Sequence, residues 1–357
     1  MATATDAPIS YGECELIIRA ILEDFTLPNA ANIKKILHDF DEKRANTIGL
    51  SIQDFIAYET KVNKFGKDAF TYLVHINRFI RKLCTETHLN PVPSFDSGFP
   101  MLGDKYVSFF MPQKEDYWHK ISTYASYLGL DYVRQRVSPY TVLFDVTDDT
   151  GDHHTGSGTL LVPNIILTCK HVVDKYKING IFINNEAYDL VDVRMSESKD
   201  IALVQVSQCS LDPSNDIILG VGSILEQIIT FGYPPIPMLQ ETPLSVQRGE
   251  INAISKDYNG DEHLIYSSIV RPGNSGGAII SEKGLFVGMV TEHLERKTSD
   301  NTISVDSKLP LNEQIQSICD QINCIPQLVP FYAGISAKEI YKEINKMMPD
   351  LQFATEF

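Results

Sequence analysis

From about residue 138 to residue 293 the chain is a succession of short β-rich runs with no helical period between them. "YTVLFDV", "GTLLV", "IILT", "GIFI", "DIALVQV", "IITFGY", "LIYSSIV", "GAII" and "LFVGMVT" follow one another, separated by turn residues. β-branched and aromatic side chains suit a pleated, half-buried surface, and parallel pairing would need crossover helices that are missing here. The stretch predicts an antiparallel barrel or sandwich.

The flanks carry a different period. "CELIIRAILEDF", "AANIKKILHDF", "SIQDFIAYETKV" and "DAFTYLVHINRFIRKL" place apolar residues at helical spacing, and Ser51 with Asp54 makes a helix-start signature. Residues 1–88 are expected to form a helical bundle. Residues 89–135 are expected to be a linker: 88–105 holds three prolines, and a helix over about 113–128 contains the only tryptophan, Trp118. The β-rich domain is assigned 136–310. Residues 311–357, with "LNEQIQSICDQI" and "SAKEIYKEINKM", are read as a helical extension. The fold class is multi-domain α+β. "FDEKRANTIGLSIQDF" is similar to a calcium loop, but Lys43 and Ala45 stand where oxygen ligands are needed, and calcium binding is rejected.

Composition narrows the functions. The 357 residues carry a net charge of −15, of which residues 1–90 contribute only −1. Phosphate backbones need a basic surface, so nucleic acid is not an expected partner. The six cysteines are scattered without a CxxC pair, which speaks against zinc and fits reduced thiols. The N-terminus lacks a basic region followed by an apolar run, and no apolar stretch reaches about 18 residues. A cytoplasmic protein with no membrane span, metal or cofactor is the expectation.

"RPGNSGGAII" (271–280) has two readings. It is either a turn feeding a strand or the seat of a nucleophile, Ser275, with little bulk around it and backbone N–H groups available to an oxyanion. A serine hydroxyl needs a base, and the base needs an orienting carboxylate. "ILTCKHVV" offers His171 after one apolar run, and "KDIALVQV" offers Asp200 at the start of another.

"GSGTLL" (156–161), "ILTCKHVV" (166–173), "DIALVQV" (200–206) and "GNSGGAII" (273–280) resemble, in that order, the motifs of trypsin/chymotrypsin-like serine proteases. Within that superfamily the nearest likeness is to the bacterial high-temperature-requirement, or Deg-type, branch, without its PDZ domain. The resemblance implies two antiparallel β-barrels with the active site between them, and a triad of His171, Asp200 and Ser275. It also implies an oxyanion hole from the N–H groups of Gly273 and Ser275. Ile269 would floor the specificity pocket and favour an apolar P1 residue. Thr291 would lie near the triad carboxylate, and the edge holding Val290, Thr291 and Glu292 would pair with substrate. Asn274 stands where secreted members carry the Asp that receives a newly cut N-terminus, so that activation route is not expected.

The expected function is intracellular serine endopeptidase, cleaving protein substrates and recruited, oligomerised or restrained through its helical N-terminal domain. The alternative is a catalytically silent fold that binds peptides in its cleft. Cys169, two residues before His171, is read as a buried structural thiol, and His153 with His154 as solvated surface residues.

Overall fold

The computed structural model describes residues 7–38, 48–92, 104–109, 115–236, 238–239, 241–293, 315 and 332–357. The chain divides into two units, Met1–Arg136 and Val137–Phe357.

The first unit is built on α1 (Tyr11–Asp24), α2 (Leu27–Leu37), α3 (Ile52–Val62) and α4 (Leu73–Thr85). Helix starts follow local chemistry. Ser10 caps α1 by accepting the Glu13 N–H, while the Glu13 carboxylate accepts the Ser10 N–H. Ser51 Oγ accepts the Asp54 N–H at 3.0 Å at the head of α3. Ile17, Ile18 and Ile21 of α1, Phe55 of α3, and Ile76 and Ile80 of α4 are all buried in its core.

The unit is not purely helical, and it does not end at 88. β1 (Leu50–Ser51), β2 (Leu89–Val92) and β3 (Lys105–Ser108) pair antiparallel in the order β1-β3-β2. The proline-rich tract read as a linker thus contributes β2. Pro91 is tolerated because β2 is an edge strand, where a missing N–H need leave no ladder bond unmade. The single helix expected over 113–128 is a 3-10 turn, Glu115–His119, followed by α5 (Ile121–Leu128) and α6 (Leu130–Val137). Gly129, at φ +82°, separates α5 from α6. Residues 40–47 of the calcium-like loop and nearly all of "LNEQIQSICDQI" lie outside the described residues.

Two carboxyls are buried together in this core. Asp24 on α1 and Glu59 on α3 are 7% and 0% exposed. Burial, and then the neighbouring Asp24 carboxyl, push the Glu59 carboxyl from 4.5 up to about 8. Burial also raises Asp24. Lys64 opposes the rise at both, whereas Glu23 adds to it. The folded state therefore keeps a proton that the unfolded chain has lost. Stability from this group is complete below pH 4.5 and falls as pH rises towards 8, by up to about 1.4 kcal/mol per pH unit. Glu59→Gln is expected to raise the melting temperature near neutral pH and to flatten its decline. Calorimetry across that window checks this, and a variant that declines as steeply as the wild type would contradict it.

The second unit holds two sheets. In the first, β4 (Thr141–Thr147), β5 (His153–Val162), β6 (Ile165–Thr168), β7 (Lys177–Ile183), β8 (Glu186–Tyr188), β9 (Leu190–Met195) and β10 (Ala202–Val206) run antiparallel in the order β8-β7-β4-β5-β6-β10-β9. The outermost strands, β8 and β9, are short and largely exposed. In the second, β12 (Gln227–Gly232), β13 (Ser245–Lys256), β14 (Glu262–Tyr266), β15 (Ala278–Ser281), β16 (Leu285–His293) and β17 (Tyr332–Ser336) form a closed six-stranded barrel, because β15 pairs with both β12 and β16. β11 (Ile218–Gly220) adds to β16 in parallel, and β18 (Thr355–Glu356) to β11.

The boundary expected at 310 is crossed. β17 bridges β14 and β16, so residues beyond 310 complete the barrel rather than only extend it. α7 (Lys170–Asp174) lies between β6 and β7, and α8 (Ala337–Met347) follows β17, capped by Ser336. No helix among the described residues is long and apolar enough to cross a membrane.

Candidate active site

His171 and Asp200 converge because of strand register. β6 and β10 pair antiparallel with Thr168 opposite Ala202, so α7 after β6 and the loop before β10 leave the sheet at one place. The Asp200 carboxylate then binds His171 twice. Oδ2 accepts from the ring Nδ1 at 2.7 Å, and Oδ1 accepts the backbone N–H at 2.9 Å. A carboxylate acceptor on Nδ1 keeps the proton there and leaves Nε2 with a lone pair. Burial works to raise the Asp200 pKa, but the His171 hydrogen bonds and charge, with a contribution from the Cys169 thiol, hold it below the usual carboxylate range.

The loop before Asp200 is fastened to the six-stranded barrel and to α8. The Lys199 ammonium, 9% exposed, pairs with Asp261 at 2.8 Å and with Glu339 of α8 at 2.5 Å. Ser196 Oγ donates to Glu343 of α8 at 2.7 Å. Charges this far from water demand full pairing, which fixes the backbone on which Asp200 sits.

Ser275 follows a tight turn. Asn274 N–H donates to Arg271 O at 3.0 Å, Pro272 is at the second position, and Gly273 takes φ +97° at the third, the signature of a type II turn. Ser157 of β5 holds this region at three points. Its Oγ donates to Gly273 O at 2.6 Å and accepts the Tyr233 N–H at 2.8 Å, and its N–H donates to Ser275 O at 3.0 Å. The first sheet is thereby tied to the serine loop.

A cavity of about 440 Å³ has His171, Gly273 and Ser275 in its wall. Thr155, Val270 and Thr291 also line it. A second cavity, of about 300 Å³, reaches Asp200 and Lys199 and is lined by Thr291 as well.

Two of the expected substrate contacts need revision. Ile269 is 55% exposed and does not line the cavity; its neighbour Val270, 3% exposed, does, as does Pro272. The turn at 271–274 sets the register, and it presents the neighbouring residue inward. Val290 is buried, and both its backbone groups are engaged inside the barrel, its N–H with Gly277 O and its carbonyl with Gly276 N. It has no backbone group left to pair with a peptide. Thr291 lines both the cavity of His171 and Ser275 and that of Asp200, while its Oγ1 donates to Ala333 O at 3.1 Å. The Glu292 side chain lies outside the described residues.

Cys169 is buried, and its thiol donates to Val290 O at 3.3 Å. Ligand-capable atoms of Cys169, His171 and Asp200 lie within 4.8 Å of one another, yet the hydrogen bonds just described already engage them. The four described cysteines are free thiols. His154, read as a surface residue, lines the cavity and bonds Asp148 at 3.0 Å. Lys175 and Arg271 line it too. Their spacing is legible in the sequence: one cation stands four residues after His171, the other four residues before Ser275.

Residues 156–289 match the family of the trypsin-like peptidase domain. A probable periplasmic DegP-like serine endoprotease of Buchnera aphidicola is 28% identical over 208 residues, which are 55% of this chain and 42% of that protein. The chain thus spans less than half the length of that relative. Among solved structures, the Rv3671c protease of M. tuberculosis in its active form aligns with a TM-score of 0.43 at 16% identity, covering 60% of this chain and 84% of that one. An HtrA-type protease with a tripeptide aligns with a TM-score of 0.44 at 15% identity, covering 61% of this chain and 63% of that one.

Proposed function

We propose that this chain, which carries a trypsin-like peptidase domain over residues 156–289, is a serine endopeptidase acting on protein substrates. The observation that carries the reading is the double hydrogen bond from His171 to Asp200, beside a cavity that His171 shares with Ser275 and Gly273.

Each residue then has one task. His171 Nε2 removes the Ser275 proton as Oγ attacks the peptide carbonyl, and the tetrahedral oxyanion is received by the Gly273 and Ser275 N–H groups. His171 next protonates the leaving amine, giving an acyl-enzyme and a free amino terminus. Water, deprotonated by the same imidazole, adds to the ester; collapse restores Ser275 and releases the acid. Asp200 steadies the imidazolium in both halves. Val270, in place of Ile269, supports a small apolar P1 residue. The first unit is assigned recruitment or restraint of the protease, and the free thiols among the described cysteines favour a reducing compartment such as the cytoplasm.

The test is labelling with a fluorophosphonate probe, followed by mass spectrometry of the adduct. Labelling confined to Ser275 and lost in both Ser275→Ala and His171→Ala is the expected result. A folded protein that resists the probe, alone or after clustering through its first unit, would return the site to the silent peptide-binding reading.

A further inference from the structure

The charge of the cleft is opposite to the charge of the chain. The protein carries −15, yet no carboxylate stands among the described residues lining the Ser275 cavity, whereas Lys175 and Arg271 do. Both cations are exposed. Four other lysines of the same unit are paired: Lys199 with Asp261 and Glu339, Lys283 with Glu226, Lys342 with Glu339 and Lys346 with Glu343. Among the described residues, no ion pair is formed by Lys175 or Arg271. His154, in the same wall, already has Asp148 as its partner.

Both cations are held by the machinery on either side of the reacting atoms. Lys175 closes α7, its N–H donating to His171 O at 3.4 Å. Arg271 opens the turn that carries Gly273, its carbonyl accepting the Asn274 N–H at 3.0 Å. Their backbones are therefore fixed relative to His171 and Ser275, and both residues line the cavity without an acidic partner among the described residues. Two such cations in a concave wall free of carboxylates draw anionic groups into the cleft, against the repulsion of an acidic protein.

We infer that the cleft selects substrates with an acidic side chain flanking the scissile bond, and that Lys175 and Arg271 are the residues that read it. This deepens the endopeptidase reading and rests on it. The apolar P1 residue sits against Val270, and the Asp or Glu lies at a neighbouring position, within reach of a lysine or arginine head group. Neither cation takes part in the chemistry.

Peptide twins that differ only by Glu or Gln beside the cut site test the inference, chosen from a proteome-derived peptide library cleaved by the enzyme. The Glu twin is expected to have the higher kcat/KM, by roughly threefold to fivefold for each cation engaged, and the advantage should shrink with added salt. Lys175→Gln and Arg271→Gln should each remove part of the discrimination, and the double variant nearly all of it. Equal cleavage of the twins, or discrimination that survives in the double variant, overturns the inference while leaving the endopeptidase reading intact. If no peptide is cut but Ser275 labels, the twins are compared as competitors of labelling, and equal or absent protection overturns it as well. If Ser275 does not label and nothing is cut, the endopeptidase reading fails first and takes this inference with it.

Discussion

Asp200→Asn is expected to lower kcat by about 10⁴ while leaving the fold in place. The reason lies in the two hydrogen bonds at 2.7 and 2.9 Å that the carboxylate accepts from His171. An asparagine can satisfy the backbone N–H with its carbonyl oxygen, but its amide nitrogen must then donate to Nδ1. The ring proton moves to Nε2, and the face turned to Ser275 loses its lone pair. The imidazolium also loses its counter-charge. Because Asp200 is held below the usual carboxylate range, the wild-type carboxylate stays ionised through the neutral range, so this difference persists at working pH. The check is kcat on a common peptide, with fluorophosphonate labelling of Ser275 slowed in parallel. A variant within tenfold of wild type would remove Asp200 from the mechanism.

Gly276→Ala is expected to cost more stability than any surface change in the second unit, about 4 kcal/mol or more, at the far end of what single substitutions do. Gly276 sits at φ +90°, and a Cβ there would lie 2.1 Å from Ser157 O and 2.4 Å from Thr168 Oγ1. Neither atom can yield. Ser157 is in the middle of β5, and Thr168 Oγ1 already donates to Ser157 O at 2.7 Å. The Gly276 N–H is itself bound to Val290 O at 2.9 Å, so the loop cannot slide away without breaking that bond. A drop in melting temperature of roughly 10 °C follows for a unit of this size, with loss of Ser275 labelling. Gly151→Ala is the control: its φ is +91°, but nothing lies within 4 Å of the added carbon, so it carries the backbone strain alone, about 1–2 kcal/mol. Equal melting of the two variants would show that the close approach to Ser157 does not matter.

Much of the architecture is legible in the sequence because it is local. The helices of the first unit announce themselves by apolar spacing and by caps such as Ser51, whose Oγ meets the Asp54 N–H as its position in the sequence implies. The β-rich runs after 138 likewise become strands, since alternation and β-branching act within a few residues. What escapes is non-local. Leu89–Val92 looks like linker because of Pro91, and only its place at the edge of a sheet with Lys105–Ser108 makes it a strand. Tyr332–Ser336 joins the barrel through partners in β14 and β16, which no property of those five residues encodes.

The site divides in the same way. The order of residues along the chain is enough to establish which groups of catalytic type are present: a histidine after one strand, an aspartate before another, a serine among glycines. It also requires the serine loop to turn tightly, since Pro272 and Gly273 permit a type II turn. Which side chains face the cleft depends instead on the folded unit, which puts Val270 rather than Ile269 in the wall and leaves Val290 no free backbone group. The same packing brings Lys175 and Arg271 into one cavity. Local sequence sets the torsions available to each segment. The convergence of segments a hundred residues apart is set by strand register and by the exclusion of water from the core, and both belong to the whole unit.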